Sequence, residues 1–293
     1  MIEGIWSAVL TPIDADRAPD VATALSHCRE LLERGCDGVN LLGTTGEAMS
    51  FSVEQRVEFM EAMAANGLPV RRAMAGTGAA SLSDAVRLTR CAFACGFAAA
   101  LVMPPFFFRE ACDDGIVAFF DGLLAQSNPA PGSVLLYNFP RMSGIAFHPD
   151  LVDRLLREFP GVIAGMKDSS NDPQLQAEVL ARHRGLAVLP GSESDLLEAK
   201  VRGASGCISG SVALWPRLAR EVFVNDDHAK GKLLRRARAA LDGLPFIPAV
   251  RHLSAALHEN STWQRMLPPL VALTTPQREL LERAIEPLRE LLG

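Results

Sequence analysis

Two hydrophobic patterns alternate along this chain. Runs of about four to six small or branched apolar residues, bounded by turn formers, have the pattern of strands buried on both faces. Between them lie stretches whose apolar residues return every three or four positions, as in a helix with one buried stripe. The first run, Ile5-Trp6-Ser7-Ala8-Val9-Leu10, closes at Thr11-Pro12, and Val21 to Arg34 then places Ala24, Leu25, Cys28, Leu31 and Leu32 on one face before Gly35. The pairing repeats as Gly38–Leu42 with Val53–Ala65, Arg71–Ala75 with Leu82–Cys95, and Ala98–Met103 with a helix from about Asp113. It continues as Val134–Tyr137 with Pro149–Phe159, 161–167 with Pro173–Arg182, Leu186–Leu189 with Asp195–Arg202, and Cys207–Ser209 with Leu214–Val224. About eight such units predict an α/β fold of the (β/α)8 TIM barrel type. An open doubly wound sheet would place a glycine-rich phosphate loop after the first strand, and Thr11-Pro12-Ile13 is not one. From Asp226 the pattern is helical only, over about 229–242, 246–258 and 276–292, with joints at Pro245, Pro248, Pro268-Pro269 and Pro276. The expected organisation is a barrel over 1–225 and a C-terminal helical extension over 226–293 packed on it.

Composition narrows the function classes. A chain of 293 residues, 48% of them hydrophobic and only 6% aromatic, suits one barrel of small-residue strands and helices. The net charge of -5 and the scattered acids argue against a nucleic-acid surface, so the basic stretch from Lys230 to Arg238 is read as a solvated helix face. The start Met1-Ile2-Glu3-Gly4 has no basic leader, and no apolar run approaches the roughly 20 residues of a membrane span, so a soluble cytoplasmic protein is expected. The six cysteines follow no disulfide framework and are expected to be reduced. Cys91 and Cys95 lie four apart on a helix without further zinc ligands, so they are read as core, and none of the histidines is given a metal.

The chemistry centres on Gly161-Val162-Ile163-Ala164-Gly165-Met166-Lys167-Asp168, an apolar run that ends in a lysine. The strand pattern puts Lys167 at the carboxyl end, where barrels of this kind build their active sites. The other lysines, Lys200, Lys230 and Lys232, fall in polar helical stretches. A desolvated lysine is held toward its free amine and can attack a ketone to form a Schiff base. The plainer alternatives are a lysine that snorkels to solvent or one that pairs with Asp168. After the second strand, Gly43-Thr44-Thr45-Gly46-Glu47 can grip a carboxylate through hydroxyls and amides, or can be an ordinary turn. Tyr137, the only tyrosine, ends the neighbouring fifth strand, where a phenol can pass a proton to a reacting oxygen or simply be buried with its hydroxyl bonded.

Taken together, Gly43-Thr44-Thr45-Gly46-Glu47, Tyr137-Asn138-Phe139-Pro140 and Gly165-Met166-Lys167-Asp168 resemble the dihydrodipicolinate synthase/N-acetylneuraminate lyase family of pyruvate-dependent aldolases. Ala8-Val9-Leu10-Thr11-Pro12 and Gly206-Cys207-Ile208-Ser209-Gly210 extend the resemblance over essentially the whole chain. It implies a (β/α)8 barrel with a helical extension and a homotetramer or homodimer. Lys167 would form the imine with pyruvate or a 2-keto acid, and Tyr137 would relay protons. Thr44 and Thr45, with Gly46 beside them, would hold the pyruvate carboxylate, Thr44 bonding Tyr137 as well, and the Ile208 carbonyl would face the pyruvate. No metal or organic cofactor is implied, because the protonated imine is itself the electron sink.

Departures from the pattern choose among family members. The synthases carry a tyrosine pair after the fourth strand and an arginine five residues after the catalytic tyrosine. Here those places hold Phe106-Phe107-Phe108 and Met142, with Arg141 one residue out of register. A phenylalanine cannot relay a proton, so Phe107 is expected only to contact substrate. Tyr137-Asn138-Phe139-Pro140-Arg141-Met142-Ser143-Gly144 looks closer to the sugar-acid lyases, in which Glu193 and Ser194 of the seventh loop would meet a polyol, unless Glu193 and Asp195 only cap the next helix. The phenylalanines also fit a partly apolar aldehyde. The leading expectation is a lyase or aldolase that makes or cleaves a 2-keto-3-deoxy acid from pyruvate and an aldehyde. 4-Hydroxy-tetrahydrodipicolinate synthase, a 2-keto-3-deoxy sugar acid dehydratase and a non-catalytic pyruvate-binding barrel are the alternatives.

Overall fold

The structure, a computed structural model, describes residues 2–292. Its strands are β1 (Gly4–Ala8), β2 (Gly38–Leu41), β3 (Ala73–Gly76), β4 (Ala99–Val102), β5 (Val134–Asn138), β6 (Ile163–Asp168), β7 (Ala187–Pro190) and β8 (Gly206–Ser209). They alternate with α1 (Val21–Glu33), α2 (Val53–Ala65), α3 (Leu82–Ala94), α4 (Asp113–Ser127), the short α5 (Pro140–Ser143), α6 (Pro149–Glu158), α7 (Pro173–Arg182), α8 (Leu196–Val201) and α9 (Pro216–Asn225). Beyond them follow α10 (His228–Ala239), α11 (Phe246–Leu257) and α12 (Thr275–Ile285).

The strands pair in parallel in the order β7-β6-β5-β4-β3-β2-β1-β8. The Ser205 amide donates to the Val188 carbonyl at 2.9 Å, which brings β8 against β7 and closes the barrel. Alternation along each strand divides the core. Ala8, Met74, Leu101, Leu135, Tyr137, Leu189 and Ile208 fill the inside, while Val39, Ala75, Val102, Leu136, Met166 and Val188 face the helices. Helix starts match the polar residues that precede them: Ser52 caps α2 with a reciprocal Gln55 bond, and Asp20, Ser81 and Asp172 cap α1, α3 and α7.

The third strand starts later than its sequence pattern suggests. Val70–Arg72 form a 3₁₀ turn, and the Arg72 guanidinium reaches back to the Cys36 and Asp37 carbonyls at 2.7 and 3.0 Å. Gly165 lets β6 approach β7 closely, since a Cβ there would stand 2.4 Å from the Ala187 carbonyl oxygen. Cys91 and Cys95 pack beside the core with their sulfurs 4.0 Å apart.

The segment just past α11 sits against α1 through histidines that the sequence left without a role. His27 is buried, with rings 5.2 Å from His258 and 4.8 Å from Trp263, and neither of its nitrogens has a hydrogen-bond partner. Burial first, then the charges of His258 and Arg34, lower its pKa from 6.5 to about 3. Above pH 6.5 the imidazole is neutral folded or unfolded. Below that pH the unfolded chain takes up a proton that the folded chain refuses, so stability falls until about pH 3. The expected loss from this group at pH 5 is on the order of 2 kcal/mol. Urea midpoints of wild type and His27→Phe at pH 7.5 and 5 measure it, and an equal acid-induced drop in both proteins would remove the explanation.

Candidate active site

Neighbouring strand ends bring the candidate catalytic side chains together. Tyr137 of β5 and Lys167 of β6 are register partners, as are Asn138 and Asp168 one residue further on. The Lys167 Nζ lies 4.3 Å from the centre of the Tyr137 ring, and the Tyr137 hydroxyl lies 3.2 Å from the Thr44 hydroxyl. Lys167 is 4% exposed and Tyr137 also 4%, so the amine does not snorkel into solvent. It does not pair with Asp168 either. That carboxylate accepts from Asn138 Nδ2 at 2.7 Å, Gln176 Nε2 at 2.7 Å and Ser170 Oγ at 3.0 Å. Asn138 uses its own oxygen to accept from the Phe147 amide at 3.0 Å. This buried network clamps the ends of β5 and β6 and so fixes the Tyr137–Lys167 register. Sequence reading missed Asn138 and Gln176 in this role.

The Gly43–Gly46 turn is more than a helix cap. It is flanked by two non-glycine residues in the left-handed region, Leu42 (φ 53) and Glu47 (φ 55), a conformation that costs energy and is held by its surroundings. The holding group is Arg251 of α11. It is wholly buried, its Nε donates to Glu47 Oε1 at 2.6 Å, and its other nitrogens donate to the Thr11 and Trp263 carbonyls at 2.7 and 3.2 Å. The Leu267 amide donates to the second Glu47 oxygen at 3.3 Å. Burial lowers the Arg251 pKa while Glu47 opposes the shift. The extension is thus tied directly to the loop that carries Thr44 and Thr45.

Other candidate residues divide. Ile208 is fully buried inside the barrel with Tyr137 and Leu189. Thr45 is buried, with its hydroxyl close to Gly210 at the end of β8. The Gly46 carbonyl accepts from Thr11 Oγ1 at 2.8 Å, and a side chain at Gly46 would press on the Val9 carbonyl. Phe107 does not line the site. It is 76% exposed and edge-on to Phe108, while Phe106 turns inward instead. Glu193 is fully buried rather than open at the mouth: its Oε1 accepts from Ser211 Oγ at 2.7 Å and Trp215 Nε1 at 2.8 Å, and its Oε2 has no hydrogen-bond partner among the described residues. It caps nothing, and the Asp195 side chain at the α8 N-cap makes no capping bond. Ser194 lies beside Ser192, with its hydroxyl 3.0 Å from the Ser192 hydroxyl, and its carbonyl accepts from Arg235.

Over the carboxyl ends of β2 to β5 opens a cavity of about 340 Å³ whose wall includes Thr44 and Tyr137 but not Lys167, Thr45 or Ile208, so Tyr137 stands between the cavity and the lysine amine. Its position is that of the active sites of α/β barrels. Among the described residues, one cluster of potential metal ligands lies elsewhere: His27, Glu30 and His258 bring their ligand atoms within 4.8 Å of one another where α1 meets the end of α11. None of the three lines the cavity.

Comparison with known proteins agrees with this geometry. The model of the dihydrodipicolinate synthetase family matches residues 1–287. A DapA-like lyase of Chloroflexus aurantiacus is 34% identical over 290 residues, covering 97% of this chain and 96% of the relative. A 4-hydroxy-tetrahydrodipicolinate synthase of Synechococcus sp. is 29% identical over 291 residues, covering 98% and 95%. The crystal structure of dihydrodipicolinate synthase from Agrobacterium tumefaciens superposes with a TM-score of 0.91 at 31% identity, over 98% of this chain and 99% of that one. With the barrel, its helical extension and the whole-chain match in agreement, the chain belongs to the dihydrodipicolinate synthetase family and is a lyase of that family.

Proposed function

We propose that Lys167 forms an imine with the ketone of pyruvate or a 2-keto acid, and that the enzyme makes or breaks the bond between the pyruvate methyl carbon and an aldehyde carbon. The observation that carries this reading is the buried amine on the Tyr137 ring, with the Tyr137 hydroxyl bonded to Thr44. Attack of the amine on the ketone expels water and leaves a protonated imine. Loss of a C3 proton then gives an enamine, with the electron pair drawn toward nitrogen. Tyr137 would carry protons to and from the reacting oxygens, with Thr44 orienting its hydroxyl. The Thr44–Thr45 turn would take the pyruvate carboxylate through hydroxyls and amides, without a fixed positive charge. Because the imine is the electron sink, this chemistry needs no metal or organic cofactor. The exposed pair Phe107 and Phe108 suits a covered face, and we propose a cytoplasmic homotetramer or homodimer.

Exchange of pyruvate methyl protons for deuterium, followed by proton NMR in D₂O, tests the enamine without an acceptor. The reading predicts enzyme-dependent loss of the methyl signal, and an exchange rate no faster than the blank would refute it. Tyr137→Phe removes the proton carrier and leaves the ring under the amine. Its kcat is expected to fall on the order of 10²-fold with the fold intact. Wild-type kcat in this variant would take Tyr137 out of the mechanism.

A further inference from the structure

Resting on the imine reading above, we infer that the second substrate is an uncharged, apolar aldehyde, aromatic or long-chain aliphatic, bound in the cavity beside Thr44 and Tyr137. Its wall is mostly apolar and includes Leu101, Met103, Phe106, Met142, Ile247 and Leu270. No lysine, arginine, histidine, asparagine or glutamine lines it. Of its polar members, Glu47 is committed to Arg251 and the Leu267 amide, and Ser50 lies out with the half-exposed Met49. The hydroxyls of Thr44 and Tyr137 lie 3.2 Å apart in the same wall, and the aldehyde oxygen must reach Tyr137 to receive a proton.

This wall discriminates by what it lacks. A carboxylate-bearing aldehyde would lose its water against methionine and leucine with no cation to meet it. A polyhydroxylated aldehyde would leave most of its hydroxyls unpaired. Neither Glu193 nor Arg141 lines this wall: Glu193 is buried elsewhere with its Oε1 bonded to Ser211 and Trp215, and Arg141 is exposed. Met142 takes the lip instead, near the end of α5, which Gly144 (φ 74) terminates. Methionine, leucine and isoleucine walls adapt to flat or extended apolar groups. A volume of about 340 Å³ falls in the range of small-molecule sites.

The step is redox-neutral. Carbon 3 of the enamine attacks the aldehyde carbon, a C–C bond forms, and the carbonyl π pair moves to oxygen, which takes the Tyr137 proton. Water then hydrolyses the iminium, freeing the Lys167 amine and a 4-hydroxy-2-oxo acid while the released proton returns to the Tyr137 oxygen, and the reverse sequence cleaves such an acid.

The test is the full-length enzyme with pyruvate and each of benzaldehyde, hexanal, glyceraldehyde and succinic semialdehyde, with product read by NMR. In parallel, borohydride reduction with pyruvate alone reports the imine. The expected result is an adduct on Lys167 and a kcat/KM for benzaldehyde or hexanal at least about tenfold above the two polar aldehydes. An adduct on Lys167 with glyceraldehyde or succinic semialdehyde turned over as well or better overturns the acceptor class and leaves the imine reading standing. So does an adduct without turnover of any of the four. Absence of the adduct overturns the imine reading and the acceptor class with it. Met142→Arg supplies a cation at the lip, and the ratio of benzaldehyde to succinic semialdehyde kcat/KM is expected to fall about tenfold. An unchanged ratio would also overturn the assignment of the cavity to the acceptor.

Discussion

Lys167→Met will lower turnover by at least about 10⁴-fold and leave the protein folded. Methionine keeps an unbranched apolar stem in the space beneath the Tyr137 ring, where the amine sits 4.3 Å from the ring centre. The core is therefore preserved while the proposed nucleophile is lost, and a thermal midpoint within a few degrees of wild type is expected. Lys200, Lys230 and Lys232 cannot substitute, because each lies on the outer helices α8 or α10, with Lys200 paired to Asp226 and Lys230 to Glu221. Retention of more than about one per cent of wild-type activity would place the chemistry on another group.

Arg251→Met will destabilise the protein by about 3–5 kcal/mol, since it leaves the Glu47 carboxylate buried without its cation. Arg251 and Glu47 are both fully buried at their side chains, so water cannot take the place of the lost partner. The loss reaches the active site as well as the fold. Glu47 holds a left-handed backbone (φ 55) one residue after Gly46, and releasing it frees the Thr44–Thr45 turn to relax. We expect KM for pyruvate to rise alongside the drop in urea midpoint. In Glu47→Gln/Arg251→Met the uncompensated charge is gone, and about half of the stability should return. A double variant no more stable than Arg251→Met would show that lost packing, rather than the buried charge, causes the effect.

What was legible in the sequence follows from the range of the interactions. Strand and helix periodicity is local, so eight strands, most helices and the carboxyl-terminal placement of Lys167 and Tyr137 could be read directly. Parallel neighbours then put the tyrosine opposite the lysine. Side-chain direction in loops could not be read. Phe106 and Phe107 are adjacent and chemically identical, yet one enters the cavity wall and the other is 76% exposed. Glu193 reads as an acceptor ligand or a cap, and only the folded chain brings Ser211 and Trp215 to it. The Glu47–Arg251 pair joins residues 204 apart, and His27 meets His258 across a similar distance. A lone arginine in the apolar stretch Phe246–Leu257 was the available hint that something acidic waits inside, but no spacing names the partner.

The most direct test of the central claim is reductive trapping. The wild-type enzyme is incubated with pyruvate, reduced with borohydride, and read by intact mass and peptide mapping. The account predicts a single reduced pyruvyl adduct on the peptide containing Lys167, absent from Lys167→Met. No adduct, or an adduct mapped to Lys200, Lys230 or Lys232, would contradict it.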